Sequence, residues 1–220
     1  MKHLQSFLLG TLALTATSLT YAQSAGTVMA RVNASQQSTS GTSDALSAPS
    51  LPGSSLQAEN ATGLTAGVTY MVTDNVSLDA QLGLGLKTNL VGAGALAGSG
   101  KLGDFTAQPF HLITQYRFMT AKDAFRPFVG IGLTYAYFTD TSGTAALSAI
   151  TGGSPTTFKV KSKLAPSVQL GAAYAINDRW YVEGSLTKTM LKTTVSLSTG
   201  NTAAYKMNPL TTSIGVGYRF

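Results

Sequence analysis

Cysteine is missing from all 220 residues, which removes disulfides, thiol nucleophiles and thiolate metal sites. Histidine is nearly as scarce: His3 lies in a segment read below as an export signal, leaving His111 alone. One histidine cannot build a multi-His metal site, and nothing in the chain calls for a metal or cofactor. Charge is short as well. Only 11% of residues are Asp, Glu, Lys or Arg, well below soluble domains, which carry about a quarter, yet mean hydropathy is a modest +0.14. Past residue 22 no run reaches the roughly 20 apolar residues of a membrane helix. The richest stretch, 82–97, is broken by glycines, Lys87 and Asn89. Few charges without long apolar runs suit a barrel wall in lipid, where apolar residues alternate with small polar ones.

What is present begins with an address. Lys2 and His3 precede a short apolar core ending near Leu14, and Thr20-Tyr21-Ala22 offers the small residues that a signal peptidase reads. Cleavage is expected after Ala22, with Ala25 as the alternative. Residues 1–22 are then a signal peptide and 23–220 one barrel domain. Loss of Lys2 from the 15 Lys and Arg leaves an excess of five over the nine Asp and Glu. In an exported chain that excess points to lipid phosphates rather than to nucleic acid.

Eight segments alternate with the period of two that marks a strand with one apolar face: 26–35, 62–72, 75–87, 106–119, 125–139, 163–176, 179–194 and 210–220. In the third, Val76, Leu78, Ala80, Leu82, Leu84 and Leu86 share one face, and Ser77, Asp79, Gln81, Gly83 and Gly85 the other. The last ends in Tyr218-Arg219-Phe220 with no tail. So apolar an edge is a hazard unless it is paired, and closing a barrel pairs it. The expected fold is an all-β, up-and-down, eight-stranded antiparallel transmembrane barrel. Connections alternate short (73–75, 120–124, 177–178) and long (36–60, 88–104, 140–162, 195–206). In outer-membrane barrels the short turns are periplasmic and the long loops extracellular, so both termini are expected to be periplasmic. Aromatic residues beside the short turns (Tyr70, Tyr116, Phe118, Phe128, Tyr174, Trp180, Tyr218 and Phe220) are expected to form one interfacial girdle, with Phe105, Phe110, Tyr135, Tyr137 and Phe138 in the other.

The inward faces carry what chemistry there is. Arg31, Asp79 and Glu183 sit on three different strands, and charges in a narrow lumen must be paired or hydrated. They are expected to plug the lumen as ion pairs or to line a polar path with Gln81, His111, Gln115, Gln169 and Thr187. Eight strands enclose little more than their own side chains, which disfavours a wide aqueous pore. No Gly-x-Ser-x-Gly elbow accompanies His111, so no catalytic group is assigned. Residues 92–101 have the wrong glycine spacing for a phosphate loop and read as a flexible outer loop. Lys159, Lys161 and Lys163 alternate at the entrance to the sixth strand, and with Lys188 and Lys192 they are candidates for lipopolysaccharide phosphate contacts. Pro109 and Pro166 interrupt strands near their outer ends, where proline marks an edge or bulge; Pro166 reads as a rim bulge.

Four stretches together resemble the outer-membrane protein W (OmpW) family in order and spacing: Tyr70-Met71-Val72-Thr73-Asp74-Asn75-Val76, Phe125-Arg126-Pro127-Phe128-Val129-Gly130-Ile131-Gly132, Ile176-Asn177-Asp178-Arg179-Trp180, and Asn208-Pro209 through Gly217-Tyr218-Arg219-Phe220. The resemblance implies a Gram-negative outer-membrane barrel that passes small, mostly apolar molecules, with sideways exit into the bilayer. It also implies that Pro109 marks the lateral opening. Gln81 and Thr187 depart from the family, which often has apolar residues there, and admit a more polar solute. Tyr218 and Phe220 form the ending that barrel-assembly machinery reads. The expected partners are outer-membrane lipid, lipopolysaccharide, small apolar solutes and that machinery. A surface anchor whose loops bind lipid or a receptor partner, and a narrow ion pore, are the competing functions.

Overall fold

The computed structural model describes residues 23–47, 52–152 and 155–220; the expected signal segment, 1–22, lies outside the described residues. Eight strands make the wall: β1 (Val28–Ser38), β3 (Ala61–Met71), β4 (Val76–Gly83), β6 (Lys101–Arg117), β7 (Phe125–Gly143), β9 (Lys163–Ala175), β10 (Trp180–Thr189) and β13 (Leu210–Arg219). They pair antiparallel in that order, and β13 returns to β1 with a register from Met29↔Arg219 to Ser38↔Leu210. The barrel is closed and its last strand has no free edge. Alternation sets the two faces. Ile131 and Ile214 are 70% and 69% exposed on the outside, while Arg31, Asp79 and Gln115 on the inside are at most 4% exposed. An apolar outer face around a polar interior is stable only when lipid covers the outside.

At the long-connection end the chain is more ordered than the sequence implied. Segment 36–60 includes β2 (Ser54–Ala58), which pairs with β5 (Leu86–Gly94), and β5 pairs with the outer part of β6. The expected flexible loop 92–101 is the end of that strand plus a tight turn. Segment 140–162 carries α1 (Ala145–Ile150), capped by Thr144, and β8 (Phe158–Val160). β8 joins β11 (Lys192–Leu197) and β12 (Thr202–Lys206) in a second sheet of three strands.

Several orientations differ from expectation. Leu86 faces inward and is fully buried, because Gly85 takes φ +82 and flips the parity of the chain beyond it. Phe128, Phe105 and Phe138 are interior residues rather than girdle members. Phe128 has the parity of inward-facing Arg126 and Gly130, and Phe105 packs edge-on against Phe138 at 5.6 Å. The remaining girdle residues are on the outside. Trp180, Tyr218 and Phe220 pack edge-to-face in sequence, with ring centroids 5.1 Å apart, beside the short turns.

Candidate functional site: the lumen and its wall

The lumen is filled in three tiers. At the short-turn end Arg126 spends its guanidinium on carbonyls of the closing turns: Nε–H to Phe118 O at 3.2 Å, and Nη2–H to Asp74 O at 2.6 Å. Arg117 lies over the Phe128 ring at 4.8 Å. Tyr181 fills the space beneath Gly217, where an added Cβ would come within 2.2 Å of the Tyr181 ring.

Above this comes the ion network. Arg31 donates to both Asp79 oxygens at 2.6 and 2.7 Å, and its Nε faces Glu183 at 3.2 Å. Arg117 reaches the other Glu183 oxygen at 3.4 Å. Thr69 adds a 2.6 Å hydrogen bond to Asp79. Fork-to-carboxylate pairing of this kind sits among the stronger charge-assisted contacts. Gln115 accepts from Ser77 and Arg117 and donates to Gln169 at 2.7 Å, and Gln169 donates to Thr187 at 3.2 Å. Gln81 donates to Thr65 at 2.8 Å. His111 Nδ1 shares a 2.7 Å hydrogen bond with Thr134, which bonds Ser167 at 2.6 Å, and Ser167 in turn bonds Thr189 at 2.9 Å. Every lumen residue singled out from sequence therefore belongs to the hydrogen-bonded filling.

The third tier is apolar. Ala107, Ala136, Phe138 and Leu191 begin an apolar cap that continues through Leu86, Leu90, Phe105 and Tyr205 in the outer strands. Between His111–Thr134 and this cap lies a cavity of ≈ 20 Å³, also lined by Gln37 and Pro109. It holds about one water. The linked polar network thus ends at the His111 level, and mainly apolar packing, with buried Thr88 and Thr106 set in it, starts one residue pair beyond.

Pro109 stands at that boundary, and the wall is interrupted there. The β4–β6 ladder runs to Leu82↔Phe110, and pairing with β6 resumes at Leu86↔Ala107. Three residues on one side (Gly83, Leu84, Gly85) thus oppose two on the other (Gln108, Pro109). Gly83 is tight against the ring: an added Cβ would meet Pro109 Cδ at 2.6 Å. Pro109 has no N–H to give this part of the ladder. Pro166, in contrast, keeps regular pairing with Leu133, and its carbonyl accepts from Met190 N at 2.9 Å.

The lysines divide. Lys159 and Lys161 are exposed on one face of the second sheet, with Lys192 and Lys206 directly opposite each other on the same face. Lys163 instead opens β9 at the barrel rim, so the expected single row of three along one strand does not form. Lys188 turns to Asn208 O at 2.5 Å. Tyr218 accepts from Arg179 at 3.2 Å, and Phe220 N donates to Val28 O at 2.9 Å, so the final residue itself closes the seam.

Arg117, Arg126 and Tyr181 were not singled out from sequence as site residues. Inward parity was the available signal, and Arg117 was already on that face.

The family model described as OmpW family matches residues 24–220. The chain is 30% identical over 164 residues to outer membrane protein W of Vibrio cholerae, covering 72% of each. It is 29% identical over 173 residues to dibenzothiophene metabolism operon protein PahQ of Pseudomonas aeruginosa, covering 77% of each. The crystal structure of the outer membrane protein OprG from Pseudomonas aeruginosa superposes with a TM-score of 0.82 at 22% identity, over 91% of this chain and 98% of that one.

Proposed function

From the premise that the chain belongs to the OmpW family, and so is an outer-membrane barrel of a Gram-negative bacterium, we propose that it conducts small apolar or amphipathic molecules inward and releases them sideways into the bilayer. The observation that carries this is the coincidence of three features at one level: the apolar cap ends, the polar filling begins, and the ladder beside Pro109 is interrupted. A solute leaving water gains about 25 cal/mol per Å² of apolar surface buried in the cap. Continuing along the axis would set it against paired charges and satisfied amides, with no matching partner. The wall is the cheaper way out. A relative named for dibenzothiophene metabolism supports an apolar solute. With the long connections outward, the cap meets the medium and the short turns meet the periplasm.

Uptake of a small apolar probe by liposomes holding the purified barrel tests the route. Pro109→Ala restores a ladder donor, worth about 1 kcal/mol net when bonded. Probe uptake is expected to fall while folding holds steady. A thiol-reactive tether between cysteines introduced at Leu84 and Gln108 is expected to stop uptake, and the absence of native cysteine keeps that reaction specific. Unchanged uptake in both variants overturns the lateral route.

A second reading concerns the surface. Like charges directly opposite on a sheet are destabilising, yet Lys192 faces Lys206 with Lys159 and Lys161 alongside. Phosphates of lipopolysaccharide at the outer leaflet would neutralise that face.

A further inference from the structure

Gln23 does not trail from the barrel; it is built into its short-turn end. Its N–H donates to Ala121 O at 3.1 Å, and its carbonyl accepts from Arg126 Nη1 at 3.1 Å. Its side-chain Oε1 faces Arg117 Nη1 at 3.4 Å and Arg126 Nη1 at 3.5 Å. The residue is 1% exposed. Signal cleavage after Ala25 would discard it and take two acceptors from the guanidinium of a fully buried arginine. Cleavage after Ala22 keeps them, and the geometry therefore favours Gln23 as the first mature residue.

That choice creates a difficulty, and the side chain resolves it. A new α-amine at Gln23 would be an ammonium at neutral pH, on a residue that two guanidiniums already face. The nearby carboxylates are engaged: Asp74 accepts from Ala25 N–H at 2.9 Å, and Asp123 accepts from the N–H and hydroxyl of Thr120 at 2.7 Å. Adding a positive charge to such a buried site is costly. Gln23 Nε2, meanwhile, is buried with no hydrogen-bond partner, which carries its own desolvation cost.

We propose that the mature N-terminus closes to pyroglutamate at Gln23, and that this uncharged residue caps the arginine-rich end of the lumen. In the step the α-nitrogen attacks side-chain Cδ and the N–Cδ bond forms. The Cδ–Nε2 bond breaks, and Nε2 leaves as ammonia with a proton from the attacking amine. No other reactant is required. The lactam retains one N–H to donate to Ala121, the ring carbonyl oxygen Oε1 and the main-chain carbonyl that Arg126 uses. It loses the ammonium charge and the unpartnered Nε2. The groups this end of the barrel uses are kept, and the two it cannot satisfy are removed. The proposal rests on residues 1–22 being a cleaved signal.

Mass analysis of the N-terminal peptide of the barrel, isolated from outer membranes, is the test. The expected peptide begins at residue 23 and is lighter by one ammonia than the open glutamine form. Its end should resist aminopeptidase after denaturation. An open Gln23, or a different first residue, overturns the proposal. Gln23→Asn keeps an amide but cannot close the five-membered ring. That variant should carry a free, aminopeptidase-sensitive end and unfold at lower urea in vesicles than the parent. Equal stability of the two would overturn the capping role even where the mass shift is found.

Discussion

Asp79→Asn measures whether the lumen is a dry plug or a wet pore. Asp79 takes two hydrogen bonds from Arg31 and one from Thr69, and the Arg31 and Asp79 side chains are 1% and 0% exposed. Asparagine keeps one acceptor but removes the charge and aims an NH2 at a guanidinium. Breaking a buried ion pair from one side costs about 3–5 kcal/mol. Arg31 still has Glu183 at 3.2 Å from its Nε, so the lower end, about 3 kcal/mol, is expected. A hydrated pair would instead be worth about 0–1 kcal/mol and would weaken further in salt. Urea unfolding in lipid vesicles reads the difference, followed by the single tryptophan, Trp180, which lies on the outer face beside the short turns. A loss under about 1 kcal/mol that vanishes at high salt would refute the plug and favour a narrow ion-conducting pore, which planar-bilayer conductance would then display.

Deleting Phe220 removes both the terminal aromatic and the Phe220–Val28 hydrogen bond that closes the seam; a sharp drop in heat-modifiable, folded protein in outer-membrane fractions is expected. An epitope inserted after Gly152 should bind antibody on intact cells, whereas one between Asn177 and Asp178 should bind only after the outer membrane is opened; the reverse pattern would invert the topology. Neutralising Lys192 and Lys206 to Gln should weaken lipopolysaccharide binding to the barrel reconstituted in vesicles by roughly 2 kcal/mol, at about 1 kcal/mol per lysine near an anionic surface, and the deficit should shrink in salt.

The wall was legible because a period of two needs only local sequence: one-sided apolar residues such as Val129, Ile131 and Leu133 fix which face meets lipid. The same rule, applied by parity, would have put Phe128 inside; closeness to a turn was the weaker guide. The outer strands were hidden for a different reason. Leu56, Leu90, Val195 and Tyr205 are buried in one apolar cluster that joins the outer strands to the outer ends of the wall, and Gly85 reverses the alternation where a single strand had been expected to continue to residue 87. Which inward charges pair was also invisible. Arg31 and Asp79 lie on β1 and β4, with β3 between them, so a long arginine side chain spans an intervening strand that sequence spacing does not reveal.

On the proposed route the turning point of the solute also moves, and one expectation changes. Sequence alone placed solute selection at Gln81 and Thr187, because those positions are polar where relatives are often apolar. In the barrel, however, Gln81 is committed to Thr65 at 2.8 Å and reached by Arg31 at 3.5 Å, and Thr187 is held by Gln169. Gln81 pairs directly with His111 across the ladder, and both Gln81 and Thr187 are buried inside the filled tier. Gln81→Leu should therefore leave solute preference unchanged and cost about 1 kcal/mol of stability, the net worth of one hydrogen bond, because Thr65 keeps Asn33 and Ser35 as partners. On the proposed lateral route, selection would fall one level out, where Ala136 lines the small cavity opposite Pro109. Ala136→Leu should fill that space and slow larger apolar probes more than small ones in the liposome assay. If Gln81→Leu shifts the preference and Ala136→Leu does not, solute reaches deeper than the Pro109 break, and exit must lie below it.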